Sequence, residues 1–117
     1  VEGTNKKLFE KVIKNSVSWS SNQNMMYVVG ANRTKDFIKI RKIIPNHFIL
    51  VPGIGAQGGS LKNVSMNGIN NNCGLIVNLS RSIIYSDSSI NFEKTVREKA
   101  QSVQIEMSKY LSDYNIL

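Results

Sequence analysis

Apolar positions along this 117-residue chain recur at two different spacings, and the switching between them predicts its elements. From residue 6 to about 17, Leu8, Phe9, Val12 and Ile13 fall on one face of a helix. The polar residues 20–24 then link to residues 25–30, an apolar run without polar alternation that reads as a strand buried on both faces. Thr34 is placed to cap a second helix with Phe37, Ile40 and Ile44 on one stripe, and Pro45 stops it. Residues 48–51 form the second predicted strand. Ser60 is placed to cap a short helix that turns Leu61 and Val64 inward, with Gly68 at its end. Residues 74–78 are the third strand. After Ile83, Ile84 and Tyr85 and a Ser/Asp-rich turn, Asn91 is placed to cap a long last helix. Its inward stripe is Phe92, Val96, Ala100, Val103, Met107 and Leu111.

The order α-βα-βα-βα, with strands starting 23 and 26 residues apart, places the chain in the α/β class. The period suits the βα unit of a (β/α)8 TIM barrel, although an open flavodoxin-like sheet shows the same local pattern. At 117 residues the chain is far short of the roughly 250 of a complete barrel. It begins on Val1 rather than Met and reads as one piece of something longer.

Charge changes this picture little. The net charge is +7 and the pI about 9.7, but the cations are spread along helices: Lys6, Lys7, Lys11 and Lys14, then Lys35, Lys39, Arg41 and Lys42, then Lys94, Arg97 and Lys99. They do not alternate with aromatics as a base-stacking platform would, so they read as solvated faces and no nucleic-acid partner is expected. No run approaches the roughly 18 apolar residues of a membrane span, so no membrane partner is expected either. The single Cys73 cannot form an internal disulfide, which fits a cytoplasmic location.

The candidate chemistry lies where the strands end. The run FILVPGIGAQGG at 48–59 leads an apolar strand into a glycine-rich loop, and GLIVNLSR at 74–81 leads another onto an arginine. Parallel strands bring residues 30–33, 52–59 and 78–82 to one rim. Glycines 53, 55, 58 and 59 let an anion approach backbone amides, and the helix after Ser60 adds a favourable dipole. Gln57 offers an amide donor, and Arg81 can grip two phosphate oxygens at once. His47 and Cys73 fall on the opposite rim, His47 as a solvent-facing loop residue and Cys73 half-buried. Trp19, Met25 and Met26 read as packing. No carboxylate pair, metal-ligand cluster or Ser–His arrangement can be assembled, so no catalytic residue and no metal ligand is assigned. The residues alone leave open a phosphate-binding barrel enzyme, such as an isomerase or aldolase, or a non-catalytic phosphate- or nucleic-acid-binding module.

The runs YVVGA at 27–31, FILVPGIGAQGG at 48–59 and NLSRSIIY at 78–85 closely resemble orotidine 5'-phosphate decarboxylase in its longer bacterial-type branch. The resemblance extends from Lys7 to the end. It implies that residues 1–117 are the C-terminal part of a single (β/α)8 barrel domain, with strands 6, 7 and 8. It also implies decarboxylation of orotidine 5'-monophosphate to UMP in pyrimidine biosynthesis without metal or organic cofactor, in a homodimer whose active sites lie at the subunit interface. Residue by residue, Gln57 and Arg81 match the phosphate-gripping pair, and Pro52 and Gly55 match the strand-7 turn lining the nucleotide pocket. Gly58 and Gly59 belong to the same anion loop, and Ser80 precedes the arginine. Leu79 departs from the serine common at its position. The family's catalytic Lys–Asp–Lys–Asp array would lie upstream of Val1, on the N-terminal part of the barrel, in the same or a separate chain.

Overall fold

The computed structural model describes residues 7–55 and 58–116. Its elements run α1 (Leu8–Ser16), β1 (Tyr27–Val28), a 3-10 turn (Ala31–Arg33), α2 (Thr34–Ile43), β2 (Ile49–Val51), α3 (Leu61–Gly68), β3 (Leu75–Val77), α4 (Arg81–Ile84) and α5 (Phe92–Asp113). The three strands are parallel in the order β1-β2-β3, as the sequence implied. Tyr27, Ile49 and Leu75 share one row across the sheet, and Val28, Leu50 and Ile76 the next.

Side chains alternate across a pleated sheet, so these rows face opposite ways. Ile49 and Leu75 lie in the core with Phe37, Ile40 and Ile44 of the α2 stripe and Leu61 and Val64 of α3. Val28 and Ile76, by contrast, are 66% and 46% exposed. The expectation that the first strand is buried on both faces is therefore corrected: helices cover one face only, and β1 is an edge strand of two residues. Trp19 is also exposed rather than packed, at 71%. In α1, Ile13 turns inward while Leu8 and Val12 stay exposed.

Local signals had mixed outcomes. Ser60 caps α3, its Oγ accepting from the Asn63 amide at 3.3 Å. Thr34 and Asn91 make no capping bond; Thr34 is already inside α2. Gly68 is the last residue of α3 and lies outside the left-handed region, so chain reversal is not its role. A Cβ there would sit 2.8 Å from Phe37 Cδ1 and 3.0 Å from Leu75 Cδ2. Only glycine lets α3 close onto α2 and β3 at this point. Along α5, Val96, Val103, Met107 and Leu111 are half-buried, whereas Phe92 and Ala100 are exposed; the stripe packs on α3 and α4 with no residue fully buried.

Arg41 departs furthest from expectation. It is no solvated surface charge but a half-buried hub at the amino-terminal end of the sheet. Nε and Nη2 donate to the Gly68 carbonyl at 3.0 and 2.6 Å, and Nη2 also to Gly74 at 3.0 Å. Nη1 donates to the Ile44 and His47 carbonyls at 3.1 and 2.6 Å. The fork thereby satisfies carbonyls at the ends of α2 and α3 and at the entries to β2 and β3. A lysine has neither the plane nor the number of donors to do this. His47 is also corrected: it is 7% exposed, enclosed beside Arg41 and the Tyr27 ring.

Replacing Arg41 with Ala should destabilise the folded protein by about 3 kcal/mol, because it strands several carbonyls, and Arg41→Lys should recover less than half of the loss. Gly68→Ala should cost about 1–3 kcal/mol through overpacking against Phe37 and Leu75. Urea midpoints at constant m-value check both, and losses within about 0.5 kcal/mol would refute them. The isolated 117-residue chain should self-associate, since among the described residues the edges of β1 and β3 are unpaired and Val28 and Ile76 are exposed. A sharp, monomeric melt by calorimetry and sedimentation would count against that.

Candidate functional site at the carboxyl ends of the strands

The parallel sheet brings the three strand exits to one rim, and short-range contacts knit them together. The Ala31 amide donates to the Pro52 carbonyl at 2.9 Å, tying the exit of β1 to that of β2. Gly59 returns beside them: a Cβ at this position would collide with the Ala31 methyl and lie 2.7 Å from the Gly53 carbonyl oxygen. Glycine is therefore required at 59 by close approach. Gly55, with φ +76°, lies against the exit of β3, where an added Cβ would be 3.5 Å from Ser82 Cβ and Oγ. The glycine-rich loop and the turn carrying Ser80 and Arg81 are thus neighbours, as parallel pairing of β2 and β3 requires.

Three of the loop's amides are engaged within it. Gly58 N donates to Gly55 O at 2.9 Å, Gly55 N to Gly59 O at 3.0 Å and Gly59 N to Gly53 O at 3.3 Å. These bonds close Gly53, Gly55, Gly58 and Gly59 on one another. Gln57 lies outside the described residues. Pro52 is half-buried at the foot of the loop, whereas Gly55, Gly58, Ser80 and Arg81 are exposed. Ser80 Oγ donates to Asn78 Oδ1 at 3.2 Å, and its carbonyl accepts the Ile83 and Ile84 amides, which starts α4 at Arg81.

Two arginines stand on this rim, and their pairing separates them. Arg33 Nη2 lies 2.7 Å from Asp36 Oδ2, whose other oxygen receives Lys7 Nζ at 3.1 Å. Burial raises the Asp36 pKa, but the Lys7 hydrogen bond and the charges of Arg33 and Lys7 outweigh it and hold the carboxyl below its ordinary value. Both cations also lie about a ring's reach from Phe9, Lys7 Nζ at 5.7 Å and Arg33 at 6.0 Å from the centroid. This cluster fastens α1 to the start of α2. The sequence reading missed it, because only the fold brings residues 7 and 36 together. Arg81, by contrast, forms no ion pair among the described residues, which leaves its guanidinium available to an anion.

Cys73 is half-buried at the opposite rim as expected, in the left-handed region at φ 69°. Among the described residues, no three His, Cys, Asp or Glu side chains converge as metal ligands. The remaining unexpected feature is the Ser82 hydroxyl, buried beside Gly55 and without a hydrogen-bond partner among the described residues.

No family model matches the chain. Among curated proteins it is 53% identical to an orotidine 5'-phosphate decarboxylase of Parabacteroides distasonis over 116 residues, covering 99% of this chain and 41% of that protein. The corresponding protein of Phocaeicola vulgatus is 56% identical over 111 residues, covering 94% of this chain and again 41% of the relative. Among solved structures, the Leishmania donovani OMP decarboxylase superposes with a TM-score of 0.69 at 26% identity, covering 90% of this chain and 40% of that one. The UMP synthase of the same organism gives 0.71 at 29% identity, covering 89% and 23%. The parallel three-stranded layer matches the C-terminal portion of these TIM barrels. The chain spans about two fifths of the length of the curated relatives it matches. It is a homologue of the C-terminal part of the orotidine 5'-phosphate decarboxylases.

Proposed function

We propose that this chain supplies the phosphate-binding part of an orotidine 5'-monophosphate decarboxylase, which removes CO2 from that nucleotide to give UMP. The carrying observation is the identity of 53% over 99% of the chain, which includes the glycine-rich loop and Arg81. Arg81 grips the 5'-phosphate from the exit of β3, and Gln57 is the second phosphate-binding side chain. The turn of Pro52, Gly55, Gly58 and Gly59 sets the floor of the pocket, with Ser80 orienting the arginine. Because the Gly58 and Gly59 amides bond within the loop, Arg81 carries most of the electrostatic grip. The remote phosphate then provides binding energy that can be used in the transition state.

The chemistry itself needs partners from elsewhere in the barrel. Loss of CO2 requires a cation near the developing carbanion and a proton donor to quench it. Residues 30–33, 52–59 and 78–82 contain no lysine, and Arg81 cannot serve both ends of a nucleotide. In this reading the N-terminal part of the barrel, on the same or a separate chain, brings the catalytic lysines and aspartates, and the enzyme works as a cytoplasmic homodimer.

In the restored barrel, Arg81→Ala should weaken UMP binding by about 1.5–3 kcal/mol, the worth of a charged hydrogen-bond partner. Calorimetry that finds equal affinity would remove Arg81 from the phosphate site. Turnover of orotidine monophosphate should appear only when the preceding part of the barrel is supplied. Activity of the 117 residues alone would show that the catalytic groups are not upstream, and an inactive but folded full barrel would sink the decarboxylase reading.

A further inference from the structure

We propose that His47 is an acid-sensitive latch at the base of the sheet, whose protonation releases the carbonyl clamp made by Arg41. His47 is the single histidine of the chain and is 7% exposed. Its ring stands edge-on to Tyr27, with centroids 5.4 Å apart and planes at 70°. Neither Nδ1 nor Nε2 has a hydrogen-bond partner among the described residues. A neutral imidazole tolerates such a pocket at the cost of one unpaired donor and one unpaired acceptor. An imidazolium would bury two unpaired donors and a charge.

The surroundings offer that charge nothing. From β1 comes Tyr27, whose hydroxyl already pairs with Ser16 Oγ of α1 at 2.9 Å. From α2 comes the Arg41 guanidinium, which donates to the His47 carbonyl itself at 2.6 Å. Cys73, on the turn before β3, lies near Arg41. The described acid of α2, Asp36, is committed to Lys7 and Arg33 at the other end of that helix, and α3 carries no acid. Among the described residues the pocket therefore holds a cation and no compensating anion. Burial first, and then the Arg41 charge, push the His47 pKa below its ordinary value.

The direction of the effect follows. The folded ring binds its proton more weakly than the unfolded one, so the latch contributes stability above the unfolded pKa of about 6.5. That contribution is lost as pH falls from there toward the folded pKa. A charged ring must leave the pocket for water, and His47 is itself an acceptor for Arg41. Its departure therefore loosens the hub that also holds Gly68 and Gly74. The end of α3 and the entry to β3 open first.

The test uses the full-length polypeptide that contains this chain, in parent, H47F and H47Q forms, the phenylalanine preserving the edge contact with Tyr27. Urea unfolding is followed from about pH 7.5 down to about pH 5, with hydrogen exchange at residues 66–75. The parent should lose stability relative to H47F by up to about tenfold in the unfolding constant per pH unit below about 6.5, one proton's worth. Exchange at residues 66–75 should accelerate in the parent alone after correction for intrinsic rates. Parallel pH profiles in parent and variants would overturn the latch. If neither variant folds, the imidazole NMR signals of the parent decide: a ring still neutral in the folded protein at about pH 6 supports the proposal, and a charged one refutes it.

Discussion

Five N–H groups on one planar side chain, all directed at backbone carbonyls, hold the amino-terminal end of this α/β layer together. A helix leaves its last carbonyls without intrahelical partners, and a strand entering a sheet leaves the carbonyl before it exposed to the same problem. Arg41 answers both at once, taking Ile44 and Gly68 at helix ends and His47 and Gly74 at strand entries. The Gly74 carbonyl also accepts the Ile49 amide at 2.9 Å, so the clamp runs directly into the β2–β3 ladder. With the base fixed, strands of only two or three residues suffice to set their exits in register.

The opposite rim is built by closeness rather than by a hub. Gly59 approaches Ala31 and Gly53 because it has no side chain, and Gly55 lies against Ser82 for the same reason. Each contact joins two different strand exits, so the glycines define a shape as much as they permit a ligand. Hydrogen bonds among Gly53, Gly55, Gly58 and Gly59 hold these described residues of the loop together. Electrostatics then distinguishes two arginines of the same rim: Arg33 is neutralised by Asp36, and Arg81 is left with its charge unpaired among the described residues.

The layer is also visibly one-sided. Helices cover the row of Ile49 and Leu75, while in the apolar row that faces the other way Val28 and Ile76 are exposed and Leu50 is half-buried. In a closed barrel such a row belongs to the packed interior. The relatives, more than twice as long as the matched segment, supply the material that would enclose it.

What the sequence determined by itself was the local periodicity and its consequences. Apolar stripes placed α2, α3 and the three strands, and the strand-to-helix alternation fixed parallel pairing, because a helical crossover returns the chain in the same direction. That in turn placed residues 52–55, Gly58, Gly59 and Arg81 on one rim, and the motifs there carried the resemblance to the decarboxylases. What only the tertiary structure decided depended on partners distant in the chain. A lysine- and arginine-rich helix gives no local sign that Arg41 points inward, since its acceptors lie 27 and 33 residues away at Gly68 and Gly74. The burial of His47, the anchoring of Lys7 and Arg33 on Asp36, and the exposure of Val28 have the same origin. Hydrophobic periodicity reports which face of an element is apolar; whether that face is covered, and where a charge finds its counterpart, is settled by the elements that pack against it.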